Sequence, residues 1–249
     1  MTDVADARTA LDESRQRMLN AEKLASLGKL AASVAHEIRN PLTSMRMWLF
    51  SLRKSLGAEP GAGRKLGIIS EEVARLESIV HHLLEFARPP QLHCCPCDLG
   101  TLVETTLELF RPQAEAHGVA VCGPEPGKRP LAMADGEQVR QVVLNRVGNA
   151  LEATPAGGKI PLQLGCDAGS DGRPMLVLRV CDTGTGMPED VQRRMVEPFF
   201  ATKEHGTGLG LCIAGRIMAE HNGRLVLESP SAHGTTFVLW GPVAAEETS

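Results

Sequence analysis

At 249 residues the chain has room for two cores of ordinary size, which excludes a mini-protein held together by disulfides. Lys and Arg number 26 against 30 Asp and Glu, a formal charge of −4, so there is no basic field to gather a nucleic-acid backbone or an anionic membrane surface. With 43% hydrophobic residues, only 3% aromatic and no Tyr, aliphatic and Ala-rich helices are the expected core material.

No apolar run approaches the ~20 residues that cross a bilayer. The opening stretch from Met1 to Arg17 is too acidic and polar for a secretory signal. No membrane segment and a cytoplasmic location are therefore expected, with the chain either whole or the soluble part of a membrane-bound sensor. The seven cysteines are an odd number, and Cys122, Cys166, Cys181 and Cys212 lie in apolar segments, which fits a reducing compartment.

Residues 10–88 carry a helical period. With Leu24 as heptad position a, the a sites are Leu24, Ala31, Ile38, Met45 and Leu52, and d sites include Leu27, Val34 and Trp48. A second seam runs through Ile69, Val73, Leu76, Val80, Leu83 and Ala87. Between them, Gly57 to Gly63 holds the Gly and Pro that stop one helix and let the chain reverse. Two helices cannot enclose such seams alone, so two chains are expected to pair their hairpins into a dimeric four-helix bundle. Leu11 and Met18 fall one position out of register, which suits a coiled-coil slip or a frayed leader.

Arg88-Pro89-Pro90 ends the hairpin, because proline cannot continue a helix. The boundaries that follow are 1–22 for a leader, 23–90 for the hairpin and 91–249 for a second domain. In the latter a helix is predicted near 98–117, with strands near 119–122 and 130–134 after it. Next come a helix near 136–153, strands near 159–167 and 174–181, a helix near 207–221, and strands near 224–229 and 234–241. The last two strand pairs read as hairpins of a mixed sheet covered by helices on one face, an α+β chain overall.

Four short segments carry chemistry. In Ala35-His36-Glu37-Ile38-Arg39-Asn40-Pro41, His36 falls at an outward position with Asn40 four residues on. A solvent-held neutral imidazole is a nucleophile, and Glu37 can take or orient its proton; a solvated surface histidine is the plain alternative. In Asn145-Arg146-Val147-Gly148-Asn149, two amides at i and i+4 suit a hard cation such as Mg²⁺, or are merely exposed polar groups. Asp182, placed where a strand runs out, can accept from the exocyclic amine of adenine, while Gly184 and Gly186 let backbone approach a ring; a capped Gly turn would look similar. Finally, Phe199-Phe200-Ala201-Thr202-Lys203 leads to Gly206-Thr207-Gly208-Leu209-Gly210 opening a helix, where unpaired N–H groups receive polyphosphate and Lys203 adds a mobile charge. The spacing alone would also suit a dinucleotide loop, but it lies late in the chain and follows no early βαβ unit.

In this order the four segments resemble the transmitter module of bacterial two-component sensor histidine kinases, over about Lys23 to Trp240. The His36 segment and the run from Glu197 to Leu211 look most like the nitrogen-regulation and zinc-resistance subtype. The resemblance implies a homodimeric phosphotransfer hairpin followed by an α/β sandwich of the Bergerat (GHKL) type. It implies ATP and Mg²⁺ as cofactors, autophosphorylation of His36 with Glu37 as general base, and transfer to an aspartate of a response regulator's receiver domain. Asn145 and Asn149 would hold Mg²⁺ and Asp182, with Gly184 and Gly186, would read adenine. Thr202, Lys203, Gly206, Thr207, Gly208, Leu209 and Gly210 would form the lid. Asn40 matches the position that places water for the reverse, phosphatase reaction.

His93-Cys94-Cys95-Pro96-Cys97 invites a metal or redox role, but four ligands within five residues cannot surround one tetrahedral ion, and a strand edge is the simpler reading. His81, His82 and His221 lack the carboxylate, Asn and Pro that surround His36, and are taken as solvated or packing residues. Two rivals remain: a motor or chaperone ATPase of the same fold, and a dimeric scaffold with a vestigial nucleotide site.

Overall fold

The computed structural model describes residues 38, 40–55, 60–87, 92–125, 127, 131–169, 172–202, 207–230 and 234–244. The chain divides into two compact units, Met1–Pro90 and Gln91–Ser249.

In the first unit, α1 is helical over 40–55 and α2 spans Pro60–Ala87. The second helix begins earlier than the Gly-rich stretch predicts, with Gly61 and Gly63 already inside it. Proline explains this: its fixed φ suits the first helical position, where its missing N–H would have no intrahelical partner anyway. The described part of the first predicted seam faces outward, and the second splits into a buried and an exposed stripe. Leu42, Val73 and Val80 form a buried cluster with Leu49 and Leu84 packed on it, and Leu66 is buried as well. Met45, Trp48 and Leu52 on α1, and Ile69 and Leu76 on α2, are 45–70% exposed. The face turned toward the hairpin partner is thus Leu42 and Leu49, at heptad position e, and the a/d face looks outward. Leu24, Leu27, Ala31, Val34, the leader with Leu11 and Met18, and Gly57 lie outside the described residues.

The second unit is a five-stranded mixed sheet of order β2-β4-β5-β7-β6. Its strands are β2 (Ala120–Cys122), β4 (Lys159–Ala168), β5 (Pro174–Asp182), β6 (Arg224–Pro230) and β7 (Thr235–Pro242). Only β2 and β4 run parallel; β4–β5 and β6–β7 are the expected antiparallel pairs, and β5–β7 joins them. Three helices, α3 (Leu99–His117), α4 (Gly136–Ala153) and α6 (Gly210–Glu220), pack side by side as one layer on the sheet. Val103, Val143, Val147, Ile160, Leu176 and Leu178 interlock between the layers, each at most 1% exposed.

The helix-free face is also dry in part, because Val177 and Val238 are buried there. Arg224 lies over the Trp240 ring, 4.4 Å from its centre, and Arg179 bridges Asp167 and Glu228 at 3.0 Å each, so long cationic stems roof the valines.

Three features lie beyond the sequence prediction. β1 (Cys95–Cys97) pairs with β3 (Ala132–Ala134) in a separate small sheet, α5 (Glu189–Arg194) is a short extra helix, and α6 starts at Gly210 rather than 207. Helix starts are set by aspartates: Asp98 accepts from Gly100 N–H at 2.8 Å, and Asp135 from Glu137 and Gln138 N–H at 3.2 and 3.3 Å. His221, 2% exposed, accepts from Asp135 N–H at Nε2 (2.9 Å) and donates from Nδ1 to the Ile217 carbonyl (2.7 Å). That neutral tautomer pins the end of α6 to the start of α4, which makes His221 a packing residue.

Candidate functional site

Helix α4 is the common wall of the candidate site. Its apolar stripe (Val139, Val143, Val147, Ala150) points into the core, which leaves Asn145 half-buried and Asn149 exposed at the margin. Asn145 Nδ2 donates to the Gly210 carbonyl at 3.1 Å, and Asn145 Oδ1 accepts from Arg146 Nη2 at 3.2 Å. No room remains between these groups, since a Cβ on Gly210 would stand 2.5 Å from Asn145 Oδ1.

The end of β5 delivers Asp182. Its Oδ1 accepts from Gly184 N–H at 2.9 Å and from Thr235 N–H, at the start of β7, at 3.2 Å. Two backbone donors on one oxygen fix the carboxylate in place. Gly184 lies against the Ala153 carbonyl at the end of α4, so the Asp182–Gly186 turn and the asparagine helix share a boundary. Thr183 reinforces the turn, its Oγ1 accepting from Lys159 N–H at 2.9 Å. Gly186 is half-buried, with φ +73°.

After α5 the chain folds over itself. Phe199 adopts φ +66°, and Arg194 sits over the Phe200 ring at 4.2 Å. Gly208, at φ +65°, lies against the Phe199–Phe200 backbone; a side chain there would meet both a strained φ and the Phe200 amide nitrogen 2.6 Å away. Thr207 Oγ1 accepts from Leu209 N–H at 3.4 Å, and Leu209 is 1% exposed, anchoring the loop as it enters α6. Thr202 is exposed. Lys203 and Gly206 lie outside the described residues.

The structure thus joins Asn145 to Gly210 and sets Gly184 against the end of α4, while Asn149, Asp182, Gly186, Thr202, Thr207, Gly208 and Leu209 lie in the same unit. Asn40 is exposed on α1 of the other unit, its carbonyl accepting from Ser44 Oγ at 3.2 Å. His36 and Glu37 lie outside the described residues. Sequence reasoning missed Thr235, which shares Asp182, and Arg146, a cation on the apolar stripe of α4. The second left a readable signal, since Arg146 falls seven residues after Val139 and three after Val143.

A small apolar pocket between Leu99, Val139, Leu178 and His221 belongs to the packing of helices on sheet; none of the site segments lines it. Cys94 and Cys95 are exposed and Cys97 half-buried, all with free thiols. Burial foremost, then Cys95 and the Asp98 and Asp135 carboxylates, push the Cys97 thiol up, which leaves it protonated and a poor nucleophile at neutral pH. Among the described residues no group of three or more His, Cys, Asp or Glu is placed to hold a metal ion.

Comparison with known proteins gives two family matches. Residues 26–91 match the His Kinase A (phospho-acceptor) domain, and residues 134–245 match the histidine kinase-, DNA gyrase B- and HSP90-like ATPase. The signal transduction histidine-protein kinase AtoS of Escherichia coli K12 is 36% identical over 235 residues, 94% of this chain and 38% of AtoS. The chain spans roughly a third to a half of the curated relatives it matches. Among solved structures, full-length ShkA in complex with AMPPNP has a TM-score of 0.73 at 27% identity, covering 87% of this chain and 46% of that one. Histidine kinase ThkA in complex with the response regulator TrrA has a TM-score of 0.66 at 30% identity, covering 96% and 67%.

Proposed function

Because the chain belongs to the sensor histidine kinases of two-component signalling, we propose that it moves the γ-phosphoryl group of ATP onto His36 and on to an aspartate of a response regulator. One observation carries the nucleotide half of this reading: Asp182, held by two backbone N–H groups, lies in a turn packed against the end of the asparagine helix, and the glycine loop joins that same helix where Asn145 bonds Gly210. A carboxylate so fixed selects adenine by accepting from its exocyclic amine. The glycine loop opening α6 offers N–H groups and a positive helix end to the phosphates.

The donor set suits a hard cation. Asn149 is exposed and presents an amide oxygen, whereas Asn145 Oδ1 is already engaged by Arg146, so Asn149 is the residue that would hold Mg²⁺. Bound there, Mg²⁺ neutralises phosphate charge. Thr202, Lys203, Gly206, Thr207, Gly208, Leu209 and Gly210 serve as the lid.

His36 then acts as nucleophile: an imidazole nitrogen bonds to the γ-phosphorus, the bond from that phosphorus to the bridging oxygen breaks, and ADP leaves. Glu37 accepts the imidazole proton. Such a transfer depends on positioning and charge neutralisation more than on covalent assistance. We assign residues 1–22 to a leader, 23–90 to dimerisation and phosphotransfer, and 91–249 to ATP binding. The exposed Met45, Trp48, Leu52, Ile69 and Leu76 support a homodimer, in which a second hairpin covers them. Asn40, exposed on α1, is assigned to dephosphorylation of the regulator.

The test is incubation with γ-labelled ATP. Label that is acid-labile, base-stable and absent from His36→Gln selects this function; ATP hydrolysis without protein labelling would select an ATPase motor instead. Asn40→Ala is expected to slow regulator dephosphorylation at least tenfold while leaving autophosphorylation in place, measured by loss of label from the phosphorylated receiver domain.

A further inference from the structure

Arg146 is the most anomalous side chain of the C-terminal unit. It is 3% exposed on the core-facing stripe of α4, with its guanidinium 5.0 Å from the centre of the Phe237 ring. Its Nε is buried with no hydrogen-bond partner among the described residues, and no carboxylate there pairs with it. Burial pulls its pKa down to about 10, so the group still carries its charge at neutral pH. A buried, uncompensated cation costs stability, and an aliphatic residue of similar size would pack there more cheaply.

What Arg146 does make is the bond to Asn145, and its chemistry leaves one solution. A guanidinium only donates and a backbone carbonyl only accepts. With Arg146 Nη2 on one side at 3.2 Å and the Gly210 carbonyl on the other at 3.1 Å, the Asn145 amide has a single orientation: Oδ1 to Arg146, Nδ2 to Gly210. Gly210 is the first residue of α6, directly after the glycine loop, and it is pressed against that same amide. Phe237, beneath Arg146, pairs with Val180, two residues before Asp182 on the same strand.

We infer that Arg146 is a positioning residue for the nucleotide: by fixing the Asn145 amide it holds the junction between glycine loop and α6 in the geometry that receives the phosphates. This rests on the nucleotide site proposed above. Arg146 acts through Asn145 and does not touch the reacting atoms, so it governs binding of ATP and leaves transfer to His36 alone. Its stability cost is the counterpart of that placement.

The experiment titrates the full chain with ATP and Mg²⁺ by calorimetry, follows autophosphorylation kinetics, and records Tm without nucleotide. Arg146→Met is expected to raise Kd and KM about tenfold, the scale of one charge-assisted hydrogen bond, with kcat within twofold and Tm equal to or above the parent's. Arg146→Lys, which keeps a donor for Oδ1, is expected between the two. The Arg146→Met/Asn145→Ala double variant is expected to bind no more weakly than Asn145→Ala alone. Unchanged affinity in both Arg146 variants would overturn the inference, as would a double variant that loses the sum of both single effects. Failure of the parent chain to bind ATP would overturn the nucleotide-site reading itself.

Discussion

The two units treat their apolar residues in opposite ways. In the hairpin, Leu42, Val73 and Val80 are buried between α1 and α2, while Met45, Trp48 and Leu52 on α1 and Ile69 and Leu76 on α2 stay exposed. In the C-terminal unit, helices close one face of the sheet, and Arg179, Arg224 and Trp240 shield valines on the other. Among the described residues, the C-terminal unit covers most of its apolar side chains, and the hairpin leaves one apolar stripe uncovered. On the reading proposed above, the C-terminal unit keeps its nucleotide site on a core of its own, whereas the hairpin needs a second copy to cover its outward stripe. Large exposed apolar stripes on a soluble helix pair are otherwise unfavourable.

The comparison is most sharply tested at Asp182. Asp182→Ala removes the acceptor shared by Gly184 and Thr235 as well as the group proposed to read adenine. ATP affinity is expected to fall on the order of 100-fold in calorimetric titration, while sedimentation shows the same oligomeric state. Loss of the dimer in this variant would show that the units are not independent.

The converse change is in the hairpin. Ile69→Glu with Leu76→Glu places charge on the outward stripe and is expected to weaken self-association at least tenfold by sedimentation equilibrium. ATP binding should stay within twofold of the parent. A variant that remains as dimeric as the parent would mean that this stripe is not the interface.

A smaller effect belongs to the α4 N-cap. Asp135→Ala is expected to cost the C-terminal unit about 1 kcal/mol in denaturant unfolding. Burial alone would raise the Asp135 carboxyl, but N–H donation from His93, Gln138 and Glu137 holds it below the usual carboxylate value. A carboxylate lowered by folding adds stability that is present above its unfolded pKa and lost as pH falls through its folded one. Unfolding measured from pH 5 downward should show a decline in the parent that is shallower in Asp135→Ala, with dimerisation unchanged at neutral pH.

Much of this molecule was readable before folding. Helices α3 and α4 and strands β4 to β7 fall close to their predicted limits, because each is marked locally by an Asp cap, a Gly stop or closely spaced aliphatic residues. The start of α2 departs from expectation because Gly61 and Gly63 suggest a break, whereas Pro60 at the first helical position starts the helix. Strand β1 is three residues long and gains its partner β3 from 35 residues or more along the chain, a pairing that no local pattern records. Of the site, Asp182, Asn149 and the glycine loop were visible as motifs, whereas Thr235 enters only because β7 pairs with β5.

The sequence by itself determined the periodicities, the caps and the chemistry each motif offers, for these depend on neighbours within a few residues. Tertiary structure alone decided which stripe of each hairpin helix turned inward, and that two β-hairpins join through β5 and β7. It also decided that Asn145 spends its oxygen on a buried Arg146 and its nitrogen on Gly210. Such choices follow from close packing of surfaces distant in sequence, where one register excludes another and a side chain's role is set by what lies across from it.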